Sequence, residues 1–540
     1  MTTESLDLLV IGAGITGAGI ARAASMRGIR TAIVDMGDFA SGTSSKSSRL
    51  VHGGLRYLEH GHFGLVFEAS RERRVLLRIA PHLVHARSFL FPIHKGARVS
   101  RWKLTAGLWL YDILAMFHNV RRHRMLSKQA MKRAEPRIKD RGLKGGARYY
   151  DAQCDDARLT LATVRSAHRH GALVANYIRA DQLDVADGKV RGARITDLTT
   201  GAEYAVHAQV VVNATGPWSD RMRDQWDDDP ALRPTKGAHV AVPRHRIGNN
   251  EALTITSPID GRVMFIIPWG DLSYIGTTDS YCSAIPDTVY ATGEDVLYLL
   301  RSANALFPDA RLTPTDVVAT WAGLRPLLAP DNPQDPRSVS REHRVLESSS
   351  GLVSIVGGKL TTYRVMATQT VDRVAAKLRQ LDGRPVPPPA GTDREPLPGG
   401  EIQNLDVLVE ETKRGGYPQE TAEHLVRTYG SETPAVVRLA QSNPEFATQI
   451  HPDHPAVIAE LVQAIRCEMA ITLCDLLIRR IHLFYETADQ ACDRASRVAD
   501  IAASELGWDE QRKEAELAAY SSEVERSNAF RNELRGLHPV

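Results

Sequence analysis

The chain has 540 residues, 43% hydrophobic and 24% charged, which is ordinary globular composition with length for two or three domains. A formal net charge of +3 gives no global field for nucleic acid, so any basic attraction must be local. The five cysteines show no C-x-x-C pair or zinc spacing, which fits a reduced, cytosolic compartment. The opening MTTESLDLLVIGAG has no basic n-region and runs straight into a strand pattern, so no secretory signal is expected. No apolar run reaches the ~18 residues of a spanning helix. The longest candidate, LTAGLWLYDILAMF at 104–117, is shorter and carries Asp112.

Residues 6–11, LDLLVI, read as a buried parallel strand. Gly12, Gly14 and Gly17 follow in G-A-G-I-T-G, then a small-residue helix ended by Gly28, then a strand ending at Asp35. Strand, glycines, helix, strand and acid together make a dinucleotide fingerprint, with backbone N–H groups for pyrophosphate and Asp35 for ribose hydroxyls. An acid rather than an arginine argues against a 2′-phosphate; the motif alone leaves NAD or FAD open. SSKSSRLVHGGLRYLEH at 44–60 gathers hydroxyls, glycines, His52, Arg56 and Tyr57. The basic and Trp-rich segment 94–133 reads equally as a core helix with solvated basic flanks or as a membrane-surface element.

DDARLTLATVRSAHRHG reads as a helix opened by Asp155/Asp156 and closed by Gly171. LDVADGKVRGARI reads as a hairpin turning at Asp187-Gly188. VVVNATGPWSD at 210–220 is a strand running into Ala214, Thr215 and Gly216, and VMFIIPWGDLSYIGTTD is a second clear hairpin. SIVGGKLTTYRVMA at 354–367 is a strand, the pair Gly357-Gly358, Lys359 and a helix start with Leu360 and Thr361. RPVPPPAGTDREPLPGG at 384–400 is a Pro/Gly linker. Beyond it the pattern is almost wholly helical, with Asp509 as an N-cap.

In order along one chain, the ATG and GGK stretches resemble the FAD-binding elements of glutathione-reductase-like flavoproteins. SGTSSKSSRLVHGGLRYLEH is very similar to a hallmark of the FAD-dependent glycerol-3-phosphate dehydrogenase family. So are DDARLTLA, NATGPWSD, KGAHVAVPR, IPWGDLSYIGTTD, WAGLRPLL and GGKLTTYR, spread over about the first 370 residues. CEMAITLCDLLIRRIHLF at 467–484 resembles that family's helical cap domain more loosely, and Arg49 stands where the family often has lysine. The fold expected is α/β plus α. A discontinuous Rossmann-like FAD domain covers 1–90, 150–225 and 340–382; a mostly-β substrate domain covers 91–149 and 226–339. The linker is 383–400 and the helical domain 401–540.

The resemblance implies hydride transfer from C2 of glycerol 3-phosphate to non-covalent FAD, quinone as electron acceptor, and peripheral binding at the inner face of the cytoplasmic membrane. A homodimer is left open. Phosphate calls for arginine and lysine, and the resemblance places Arg56, Arg325 and Lys359 in the pocket, with Arg341 a weaker candidate. Thr278 and Asp279 are candidate pocket groups at a strand end. His52 is the candidate general base, since an ordinary pKa of about 6.5 suits proton acceptance near neutral pH, and Tyr57 is a candidate to orient substrate. Thr43, Ser44, Ser45 and Ser48 serve flavin and pyrophosphate in this reading. His82 and His85 lack acidic or cysteine partners at ligand spacing, so no metal is expected. Two other functions compete: an oxidase passing electrons to oxygen and releasing peroxide, and a flavin-binding regulatory protein without turnover.

Overall fold

The structure is a computed structural model that describes residues 6–223, 231–282, 286–329 and 342–536. A first sheet has the order His343–Glu347, Val353–Gly357, Glu203–Asn213, Leu6–Ile11, Thr31–Val34, Leu173–Ala175. From Val353–Gly357 onward every pairing is parallel. Leu6–Ile11 is buried throughout, as an unbroken apolar strand covered on both faces must be. On one face α1 (Ile15–Ser25) packs against the helices Asp156–Arg169 and Tyr363–Asp382, joining Ala18 and Ala21 to Val164, Met366 and Val371. The hairpin Ile178–Ala186/Lys189–Asp197 covers the other face through Leu183, Val190 and Ile195. Its turn residues Asp187 and Gly188 have φ of 52° and 70°, the left-handed pair that a two-residue turn needs.

The second sheet runs Ser280–Tyr281, Thr235–Pro243, Leu272–Gly276, Val263–Trp269, Ala252–Thr256, Val84–His94, Leu143–Cys154, Leu50–Val51. This differs from the expected partition at 90 and 150. Leu50–Val51 and Val84–His94 lie in the second sheet, and Leu143–Cys154 crosses the boundary set at 150. The physical reason is a long antiparallel ladder between segments about fifty residues apart, which no local pattern reveals. α2 (Phe63–Ile79) and α3 (Arg101–Leu114) lie over this sheet, burying Val66, Leu104, Leu108 and Tyr111 against Phe89 and Tyr149.

Residues 384–400 form no helix or strand, but they are not a free spacer. Leu397 is fully buried, and Arg22 of α1 donates to the carbonyls of Thr392 and Glu395 at 3.0 and 2.8 Å. Helices follow from Leu405 on, and Asp509 Oδ1 accepts the N–H of Arg512 at 2.7 Å at the start of the helix Glu510–Gly536. The expected cap is therefore present.

Candidate active site

Gly12 and Gly17 explain how the glycine turn sits so close to the first sheet. A Cβ on Gly12 would lie 2.6 Å from the Ala214 carbonyl oxygen, and one on Gly17 would lie 1.8 Å from that of Gly12. Only hydrogen fits at either place, and this brings Ala214, Thr215 and Gly216 beside the first turn of α1. Gly14 has no side chain to cap that helix. Ser44, on the turn Thr43–Ser45, supplies the acceptor instead, its Oγ taking the Ile15 N–H at 2.9 Å. Asp35 Oδ2 accepts the Ala13 N–H at 2.6 Å and Oδ1 that of Gly37 at 2.9 Å. Burial pushes this carboxyl up to about 6 despite those two bonds.

A cleft of about 580 Å³ opens here. Gly12, Gly14, Asp35, Thr43, Ser44, Ser48, Thr215 and Gly216 line it, and so do His52, Tyr57, Arg325, Gly357, Gly358, Lys359 and Thr361. An open helix start, an acid on the cleft wall that accepts two backbone N–H groups, and a cleft of this size together fit a dinucleotide with a ribose diol.

The polar groups in the cleft are held by their neighbours. Lys359 precedes the turn Leu360–Thr362, and its ammonium lies 4.1 Å from the centroid of the Tyr57 ring. Thr361 Oγ1 donates to the His52 carbonyl at 3.4 Å, tying the late turn to the early one. Arg325, at the end of the strand Ala319–Arg325, donates to Asp279 at 3.2 Å, to Thr277 Oγ1 at 2.9 Å and to the Thr278 carbonyl at 3.2 Å. The other oxygen of Asp279 lies 3.5 Å from Arg262. His239 Nε2 is 2.8 Å from Ser48 Oγ, and its ring stacks on Trp321 at 5.0 Å. Burial, with the charges of Arg325 and Arg49, lowers His239 to about 3, so its imidazole is neutral at pH 7.

A family model described as "FAD dependent oxidoreductase" matches residues 7–364, and one described as "C-terminal domain of alpha-glycerophosphate oxidase" matches 390–513. The aerobic glycerol-3-phosphate dehydrogenase of Staphylococcus epidermidis is 37% identical over 529 residues, 96% of this chain and 93% of that protein. Its Staphylococcus aureus counterpart is 36% identical over 537 residues, 98% and 95% of the two chains. The chain belongs to the FAD-dependent glycerol-3-phosphate dehydrogenase family.

An X-ray structure of the glycerol-3-phosphate dehydrogenase from Bacillus halodurans complexed with FAD superposes with a TM-score of 0.80 at 32% identity, covering 98% of this chain and 96% of that one. The L-alpha-glycerophosphate oxidase of Mycoplasma pneumoniae, TM-score 0.55 at 15% identity, covers 73% of this chain and 100% of that one and shares the fold. Within this dehydrogenase, several expected residues stand elsewhere than the sequence suggested. Thr278 turns its Oγ1 into the sheet, where it accepts the Ala238 N–H at 2.9 Å, and Thr277 takes the place on the cleft wall. Gly17 and the buried Ser45 lie behind the wall rather than on it. Arg56 lies on the turn Leu55–His60 with its side chain outside the described part, and Arg341 is outside the described residues.

Among the cleft-wall residues that sequence reasoning missed are His239, Arg262 and Trp218, besides Thr277. The blocks KGAHVAVPR and NATGPWSD held two of them, but a histidine in an apolar strand reads as core until its neighbours are known. Arg262 follows a turn glycine and reads as surface charge. His82 and His85 are neutral, each lowered to about 3 by burial and by nearby arginines. Among the described residues, His451, Asp489 and Asp493 bring ligand-type atoms within 4.8 Å of one another. His451 Nδ1 accepts the Asp453 N–H at 3.1 Å, which leaves the ring proton on Nε2, facing the carboxylates at 3.5 and 3.6 Å. With its proton there, Nε2 turns a donor toward both carboxylates rather than the lone pair that a metal ligand needs.

Proposed function

We propose that this dehydrogenase oxidises sn-glycerol 3-phosphate to dihydroxyacetone phosphate and delivers the electrons to a membrane quinone. The observation that carries the reading is the convergence of Arg325, Arg262 and Lys359 with His52 and His239 in the cleft that also holds the dinucleotide cradle. FAD, when bound, supplies the acceptor for the hydride that leaves C2. Arg325 and Arg262, both set by Asp279, and Lys359, set over Tyr57, hold the dianionic phosphate. Anchoring that end orients C2 and its hydroxyl, and orientation carries a large part of the rate. His52 accepts the hydroxyl proton as hydride leaves. The neutral His239 is hydrogen-bonded to Ser48 and holds that hydroxyl at the cleft wall.

The quinone part is supported by the surface around α3. Leu104, Leu108 and Tyr111 face inward, while Trp102 is 75% exposed and Trp109, Ile113, Met116 and Phe117 are also exposed. Exposed Phe63 and Phe67 of α2 extend the apolar face, with Arg101, Lys103, Arg121 and Arg122 exposed around it. A patch of this kind suits docking on an anionic bilayer. Among the described residues no helix is long and apolar enough to cross a membrane.

Anaerobic addition of glycerol 3-phosphate to the holoenzyme tests the first half: the flavin absorbance should bleach, and an unchanged spectrum at saturating substrate would sink it. Reduction of a long-chain quinone in liposomes, against peroxide yield in air, separates quinone from oxygen as acceptor.

A further inference from the structure

Gly53, the residue after His52, donates its N–H to Asp151 Oδ1 at 2.9 Å. The same carboxylate oxygen accepts the Tyr111 hydroxyl at 2.8 Å and a hydrogen bond from Arg73. Arg73 also donates to Tyr111 Oη at 2.8 Å and to Asn119. Asn119 donates to Asp112 Oδ1 at 2.6 Å, and the second Asp112 oxygen is 2.7 Å from His123 Nδ1. A buried polar chain thus runs from the end of α3 to the peptide beside His52. Its inner members have almost no contact with solvent, the Arg73 and Asp151 side chains being 2% and 4% exposed. The approach leaves no room for a side chain on the turn: a Cβ on Gly53 would sit 2.2 Å from Tyr111 Oη and 2.7 Å from Ser70 Oγ.

Stability alone gives little reason for this arrangement. Well-packed apolar residues of similar volume hold such a contact as well as a buried ion pair, which must first be desolvated. Apolar packing cannot, however, give one chosen N–H a fixed acceptor. We propose that Asp151 is a positioning residue: it fixes the turn His52–Gly53–Gly54 over the cleft, and Arg73 and Tyr111 fix Asp151. This rests on the reading of His52 as proton acceptor. The ring is one residue from the anchored peptide, so a small rotation there displaces it, and a displacement of about 1 Å costs on the order of 100-fold in rate.

The test uses holoenzyme and two readouts. In Asp151→Ala the limiting rate of anaerobic flavin reduction should fall by roughly 10- to 100-fold, with FAD occupancy and the substrate KM little changed. Hydrogen exchange in the peptide spanning residues 50–58 should speed up. Asp151→Asn combined with Arg73→Gln keeps an oxygen acceptor for Gly53 without stranding a buried charge, and it should restore both the rate and the protection. Because Asp151→Ala strands the Arg73 charge, Asp151→Leu with Arg73→Met serves as the variant built to fold without the pair, and it should be slow in the same way. A folded Asp151→Leu/Arg73→Met variant that reduces flavin at the parent rate, or a loss that the Asp151→Asn/Arg73→Gln pair does not rescue, overturns the proposal while leaving His52 untouched. His52→Asn tests the underlying reading separately. If that variant keeps the parent rate, His52 is not the proton acceptor, and the role given to Asp151 falls with it.

Discussion

Arg325 and Asp35 carry predictions that belong to single side chains. Arg325 is fixed by Asp279, Thr277 and the Thr278 carbonyl, so its guanidinium is oriented before substrate arrives. Losing a charged hydrogen bond to phosphate in a desolvated site costs about 2–5 kcal/mol. Arg325→Ala should therefore raise KM by more than tenfold while FAD content stays at the parent level, measured by steady-state kinetics and flavin absorbance. An unchanged KM would remove Arg325 from the phosphate site. Asp35 gives a pH dependence. Its carboxyl is raised to about 6 by burial, and ribose hydroxyls would donate to the ionised form, so FAD binds best above that pH. Between pH 7 and pH 5 the ionised fraction falls about tenfold, and the FAD dissociation constant should rise by about the same factor. Fluorescence titration of apoprotein should show this, and Asp35→Asn should flatten it.

α3 is where the sequence left two readings open, a core helix and a membrane-surface element, and its two faces differ. One face is core: Leu104, Leu108 and Tyr111 are buried. The other face presents Trp102, Trp109 and Ile113 to solvent. An amphipathic helix normally turns polar residues outward, so aromatic residues on the outer face are the anomaly that the proposed membrane docking would explain. Burying a large apolar side chain is worth about 1.5–3 kcal/mol, and each nearby basic group about 1 kcal/mol on an anionic surface. Trp102→Ser with Trp109→Ser should weaken binding to anionic liposomes at every salt concentration. Replacing Arg101, Lys103, Arg121 and Arg122 should weaken it mainly at low salt. In both, activity with a soluble dye should survive while activity with long-chain quinone falls. If both variants sediment with liposomes as well as the parent, the surface lies elsewhere.

Across the whole molecule, the helical C-terminal domain is joined to the nucleotide domain by buried charge. Asp38, three residues after Asp35, takes two bonds from Arg480 at 2.8 and 2.9 Å and one from Arg479 at 2.6 Å. Burial pushes Asp38 up, but Arg480 and Arg479 outweigh it and hold the carboxyl at about 2. Glu486 is likewise held at about 2, with burial outweighed by His454, His482 and Arg49, and it accepts Trp269 Nε1 at 2.8 Å. Both carboxyls lie below their unfolded values, so their stabilisation is present above about pH 4 and is lost as pH falls toward 2. Each contributes on the order of 2 kcal/mol. Acid titration followed by near-UV circular dichroism and flavin release should show the seam opening in that window. Asp38→Asn, which leaves the buried Arg480 only the more distant Glu468 carboxylate at 3.7 Å, should move the loss to higher pH.

The local elements were legible because each is written in neighbouring residues. Leu6–Ile11 through Asp35 is a strand, a glycine turn, a helix and an acid at fixed spacing, and Asp187-Gly188 and Asp509 are signals one or two residues long. The resemblance of the blocks from Ser41 to Arg364 went further and named the chemistry, since a binding site keeps its residue types in runs. Tertiary structure alone decided what depends on contacts between distant segments. The ladder between Val84–His94 and Leu143–Cys154 joined into one sheet segments that the sequence reading divided between domains. The hydrogen bond from Ala238 turned Thr278 away and left Thr277 on the wall. Stacking on Trp321 and burial kept His239 neutral beside Ser48. Asp151 lies 98 residues from Gly53, and Arg480 lies 442 from Asp38. A charge takes its meaning from what surrounds it, and for these residues the surroundings are assembled only when the chain folds.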